Sequence, residues 1–174
     1  RDATFCEHVQ VIIRVMQGTL LITDSQISGN SQSGIEAFNA SIPLLTIETE
    51  TTDITSNEGS GINCINTSLS VTGGTIGSNG SSGASGNGCI MQFSGATIEN
   101  NITAGNGGGI NSVNAAPSLT DTIVSGNTAA GSGGGLYYWG LVPQEMQMTG
   151  GSLTGNQAQN GGGLYVAAGS ASLD

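Results

Sequence analysis

The sequence has no lysine, two arginines and one histidine against 12 acidic residues, which leaves 174 residues with a net charge of −10. Without a basic patch to neutralise phosphates, nucleic acid is not an expected partner. Anionic membrane surfaces are unfavourable on the same grounds. Charged residues make up 8% of the chain, where an ordinary soluble domain carries roughly 25%. Aromatic residues are 4% and prolines number three. No apolar run approaches the roughly 20 residues of a membrane span, so membrane insertion is not expected. Glycine is abundant but has no three-residue period, which excludes collagen.

Glycine, serine, threonine and asparagine fill 84 of the 174 positions. These are weak helix formers. One short pattern recurs six times: an aliphatic residue, two small or polar residues, then asparagine. The asparagines are Asn30, Asn57, Asn79, Asn101, Asn127 and Asn156, at intervals of 27, 22, 22, 26 and 29. Each is followed by a glycine and, in most units, an aliphatic residue: Gly34-Ile35, Gly61-Ile62, Gly88-Cys89, Gly109-Ile110, Gly135-Leu136 and Gly163-Leu164. An alternating apolar pair and a tight polar turn precede most units, as in Leu69/Val71 before Gly73-Gly74.

Period-two alternation is the strand signal, and the punctuating residues tolerate positive φ. Three short strands repeated six times predict an all-β, right-handed parallel β-helix of about six coils, a β-solenoid. Coils about 4.8 Å apart would give a rod about 30 Å long. Residues 20–174 form the repeats and 1–19 a partial coil above them, within one domain. Val9, Val11, Ile13 and Val15 alternate as its strand, and Ala171 to Asp174 begin another coil. No amphipathic capping helix is visible at either end. Such ends invite further chain or end-to-end stacking of subunits.

Stacking like positions gives three inward rows. The first is Ile35, Ile62, Cys89, Ile110, Leu136, Leu164. The second is Ala37, Cys64, Met91, Ser112, Tyr138, Val166, and the third Ile22, Ile47, Val71, Phe93, Leu119, Met148. The six asparagines form a structural ladder of stacked amides.

Three repeats read Gly107-Gly108-Gly109-Ile110, Gly133-Gly134-Gly135-Leu136 and Gly161-Gly162-Gly163-Leu164, paired with Val124-Ser125-Gly126-Asn127 and Leu153-Thr154-Gly155-Asn156. They resemble the Gly-Gly-Ala-aliphatic and Phe-x-x-Asn motifs of the chlamydial polymorphic outer-membrane proteins, of the autotransporter passenger type. Here glycine stands for the alanine and an aliphatic residue for the phenylalanine. The resemblance covers about residues 20 to 174 and implies a surface-displayed β-helix with an adhesive role.

Cys64 and Cys89 fall in neighbouring coils and adjacent inward rows, a candidate disulfide. Two buried thiols acting as small hydrophobes is the other reading. Cys6 is left over, and His8 is the only histidine, so no metal site or cofactor is expected. Sequons occur at Asn39, Asn66, Asn79 and Asn101. Asn39 and Asn66 share a corner and are the candidate glycosylation sites. Asn79 and Asn101 belong to the ladder, where a glycan conflicts with packing.

Parallel β-helices include polysaccharide lyases and hydrolases. A lyase of acidic sugars needs basic residues, and the chain has only Arg1 and Arg14, both ahead of the repeats. A hydrolase needs two facing carboxylates, and Asp24 and Asp121 are several coils apart. Glu48, Glu50, Asp53 and Glu58 cluster in one enlarged loop, whose oxygens suit Ca²⁺, with a solvated acidic loop as the expected reading. A threonine-rich outward row, Thr23, Thr72, Ser94, Thr120 and Thr149, raises ice binding, but Glu48 interrupts it. The outward row beside the glycines runs Glu36, Asn63, Ile90, Asn111, Tyr137, Tyr165, with Trp139 near. Tyr137, Trp139 and Tyr165 are the candidate interaction patch for sugar or protein. Aromatic stacking that only stabilises the sheet is the competing explanation. The expected function is a non-enzymatic structural or adhesive solenoid, extracellular or on the cell surface. Its expected partners are its own copies or other surface proteins. The alternative is a carbohydrate-binding or polysaccharide-active β-helix.

Overall fold

The computed structural model of the chain describes residues 4–5, 13–15, 19–38, 46–141 and 144–174. The chain winds through three parallel sheets in turn, each of seven strands where six coils are expected. The first sheet runs from Thr4–Phe5 through Gln26–Ser28, Asp53–Thr55, Thr75–Gly77, Thr97–Glu99 and Ile123–Ser125 to Ser152–Thr154. The second contains Ile13–Val15, Ile35–Phe38, Ile62–Ile65, Ala84–Asn87, Ile110–Val113, Leu136–Trp139 and Leu164–Ala168. The third begins at Thr19–Thr23 and ends at Ser170–Leu173. Strand Ile13–Val15 lies in the stretch read as a partial coil, and Ser170–Leu173 in the one read as a further coil. Residues 9–12 of the expected N-terminal strand lie outside the described residues. No helix among the described residues is long and apolar enough to cross a membrane.

Inside the coils, aliphatic residues stack on their own kind. Ile27, Ile54, Ile76, Ile98 and Val124 are all 1% exposed or less. The alternation decides this: in strand Ile62–Ile65 the first and third residues are buried and the others half-buried.

All three expected inward rows are corrected. Ala84, not Cys89, stands between Ile62 and Ile110 in the second sheet. Gly86, not Met91, then stands between Cys64 and Ser112. Met91 belongs to the third sheet opposite Leu69, and Ile90 opposite Ser68. The cause is a coil whose second-sheet strand, Ala-Ser-Gly-Asn, has almost no apolar side chain. In the third sheet, Ile47 pairs with Leu20 and Leu69, and Thr49 stands between Ile22 and Val71. The same register puts Glu50 between Thr23 and Thr72, so it is Glu50 that interrupts the threonine row. The acidic loop is not a loop. Thr46–Glu50 and Asp53–Thr55 are strands of different sheets.

The corner from the third sheet to the first is left-handed in six successive coils. Asp24, Thr51, Gly73, Gly95, Asp121 and Gly150 have φ between 47° and 66°. Thr51, at 47°, is the misfit, because a branched Cβ crowds the following carbonyl there. Thr51→Gly removes that crowding and an exposed hydrogen bond to Asp24. Thermal denaturation should show the variant more stable by about 1 kcal/mol.

Candidate functional site

The ladder occupies the corner between the first and second sheets. All six asparagines follow a left-handed residue: Gly29, Ser56, Ser78, Asn100, Gly126 and Gly155. That twist turns each carboxamide inward and aims it along the stack. Asn101 Nδ2 donates to Asn127 Oδ1 at 2.9 Å and to the Ile76 carbonyl at 3.0 Å. Its Oδ1 accepts from the Asn79 backbone N–H at 3.1 Å and from Asn79 Nδ2 at 2.9 Å. All four side-chain bonds are internal, and Asn101 is 0% exposed. The pattern of amide-to-amide bonds runs unbroken from Asn30 to Asn156. Asn79 and Asn101 therefore have no amide free to carry a glycan. Asn66 is exposed at its corner with φ 52°, whereas Asn39 lies outside the described residues.

A row of glycines completes the corner. A Cβ on Gly34, Gly61, Gly83, Gly109 or Gly135 would come within 2.8–3.0 Å of the next coil's asparagine Nδ2. None of these five has positive φ. They are glycine because the next coil's carbonyl oxygen and amide both need the space, not because the chain turns there.

Cys64 and Cys89 are disulfide-bonded, with Cα atoms 5.9 Å apart. Both are 0% exposed. Gly86 makes room for the bridge: a Cβ there would lie 3.0 Å from the Cβ of Cys89. Cys6 and His8 lie outside the described residues. Among the described residues no three of His, Cys, Asp and Glu come together. Asp24 and Asp121 occupy equivalent corners four coil steps apart, about 19 Å. Paired glycosidase carboxylates work at about 5–9.5 Å, so these two cannot act as such a pair.

Among the described residues, the outward face with aromatic character belongs to the second sheet. Its first column is Arg14, Glu36, Asn63, Ser85, Asn111, Tyr137, Tyr165, with Ser85 where Ile90 was expected. The second column is Phe38, Ile65, Asn87, Val113, Trp139 and, across a bulge, Ala168. The rings of Tyr137 and Tyr165 stack with centroids 5.8 Å apart and planes 8° from parallel. Trp139 follows Tyr137 on the same strand and face and is 40% exposed. All three residues of the expected patch thus meet on one surface. Beside Tyr137 in its column, the Oδ1 of Asn111 is enclosed without a hydrogen-bond partner.

Sequence reasoning missed the other end of this face. Arg14 pairs with Glu36 at 3.1 Å, and its guanidinium lies 5.9 Å from the ring centroid of Phe38. The signal was the repeat interval: Arg14 precedes Glu36 by 22 residues, one short coil.

Between Tyr137 and Trp139, Tyr138 turns inward and is 0% exposed. Its hydroxyl donates to the Gln144 carbonyl at 3.2 Å. Burial pushes the hydroxyl above its ordinary range. The folded state then holds this proton more tightly than the unfolded chain does. The associated stability is complete below about pH 10, the unfolded value, and is lost as pH rises through the folded one. Alkaline titration at 295 nm should show one of the three tyrosines ionising last, together with unfolding. Tyr138→Phe should flatten that loss.

A family profile described as right handed beta helix region matches residues 11–174. The chain belongs to the right-handed β-helix family. Neither a curated protein nor a solved structure matches it. The finer likeness to the chlamydial outer-membrane proteins rests on its two motifs alone.

Proposed function

We propose that the chain is a non-enzymatic structural and adhesive module of an extracellular or cell-surface protein, able to stack into filaments. The observation that carries this is the asparagine ladder. Buried asparagine side chains bond to their own kind in the next coil, leaving the corner's donors committed. The corner carboxylates Asp24 and Asp121 are too far apart to act as a hydrolytic pair. The Cys64–Cys89 bridge supports an oxidising compartment. The autotransporter-like motifs support surface display.

Negative-stain microscopy of concentrated protein, with a reducing-end assay over a polysaccharide panel, tests the proposal. Filaments or bundles without sugar release are expected. Short monodisperse rods would remove the filament reading, and sugar release would remove the non-enzymatic one. A second reading, carbohydrate binding, is favoured by the half-open ring of Trp139 beside the tyrosine stack. A glycan array with Tyr137 and Trp139 variants separates the two.

A further inference from the structure

Both ends of the second sheet's outer face carry aromatic rings, but only the N-terminal end has a cation beside them. At the N-terminal end Arg14, anchored by Glu36, sits over the ring of Phe38. At the C-terminal end the same two columns present Tyr137 and Tyr165 in the first and Trp139 in the second. Among the described residues Arg14 is the one cationic side chain, and it is already paired. The chain contains no lysine and carries −10 overall, and no described residue offers this end a cation.

We propose that the Tyr137–Trp139–Tyr165 surface binds a polypeptide segment bearing arginine. The guanidinium lies over the aromatic rings as Arg14 lies over Phe38. Two arguments converge on this occupant. A guanidinium is planar and weakly hydrated, matching a flat aromatic surface. The field of a strongly acidic chain raises the local concentration of cations. The proposal rests on the adhesive reading and names its partner's chemistry.

Trp139 is the only tryptophan, so its emission reports on the patch directly. Hexa-arginine amide, which contains no aromatic residue, should change that emission saturably, and more tightly than hexa-lysine amide. The double variant Tyr137→Asn, Tyr165→Asn keeps the reporter. It uses a residue that the same column already holds at Asn63 and Asn111. With an unchanged far-ultraviolet spectrum and melting temperature, it should bind hexa-arginine about tenfold more weakly. Should the double variant unfold, Tyr165→Asn alone replaces it, with a fewfold weakening expected. Equal affinity of parent and folded variant means diffuse charge attraction and overturns the proposal, as does the absence of a saturable change. A saturable response to cellohexaose with none to hexa-arginine also overturns it but leaves an adhesive module with a different ligand. Cleavage of cellohexaose would end the adhesive reading itself.

Discussion

Asn101→Ala should lower stability by about 4 kcal/mol. The substitution removes four bonds. It leaves the Asn79 backbone N–H, one Asn79 amide proton and the Ile76 carbonyl without their partner, at about 1–3 kcal/mol for each buried orphan. The melting temperature should fall by about 10 °C for a chain of this size. Calorimetry checks the figure. Half-buried Asn114 makes a single, solvent-exposed side-chain bond, to Asn87, and Asn114→Ala should cost under about 1 kcal/mol. Asn101→Asp sharpens the test. Its second oxygen would face the Ile76 carbonyl and Asn127 Oδ1, so the buried acid holds its proton in the folded state. Stability of that variant is retained below the unfolded carboxyl value, near pH 4, and lost as pH rises through the higher folded value.

The second large effect is steric. A Cβ at Gly109 would lie 2.6 Å from the Gly135 carbonyl oxygen, 2.8 Å from Val124 Cγ1 and 3.0 Å from Asn127 Nδ2. The first contact is backbone, so no side chain can swing away to relieve it. The two coils must separate, and the ladder bonds stretch with them. Gly109→Ala should destabilise by about 3 kcal/mol. Gly105 provides the control, four residues earlier. A Cβ there meets only Thr103 Oγ1, at 3.7 Å, and its φ is not left-handed. Gly105→Ala should stay within about 0.5 kcal/mol of the parent. Equal effects at the two positions would show that glycine matters here as a flexible residue, not as a space.

The contrast between Gly105 and Gly109 marks how far the sequence could be read. The asparagine interval revealed the coil, because one residue type recurred at the corner of each unit. The reason for the neighbouring glycines was not legible. A sequence makes a glycine look like a turn, and several are: Gly107, Gly133 and Gly161 have φ between 57° and 69°. The next residues in those triplets, Gly108 and Gly134, are pressed against carbonyl oxygens of the following coil, at 2.5 Å or less from an added Cβ. Gly109 and Gly135 also meet a carbonyl oxygen, at 2.6 and 2.5 Å, and in addition make way for an amide. The glycines of a triplet thus answer to different physical demands, and only the turn has a local signature.

The misread coil has a similar origin. Gly88-Cys89 copies the glycine-aliphatic pair of the other units, whereas the paired strand begins with Gly83-Ala84. The small side chains of Ala84–Asn87 leave interior space. Met91 and the disulfide fill it from across the coil, since an added Cβ on Gly86 would touch both Cys89 and Met91 at 3.0 Å. Hydrophobicity had moved to a neighbouring strand, which a repeat search cannot detect. In the third sheet, matching Ile47 to Ile22 paired like with like, but the register obeys backbone bonding and sets Thr49 there. At the candidate site, the aromatic residues were legible as an outward row. Arg14 over Phe38 required the register of two strands.

The buried amides hold the coils together and are committed to that task. Hydrogen exchange of the side-chain amide protons, followed by NMR, is the decisive measurement. The carboxamides of Asn57, Asn79, Asn101 and Asn127 should exchange as slowly as the core strand amides, and far more slowly than that of Asn114. Exchange of the four ladder amides at the rate of Asn114 would contradict the account.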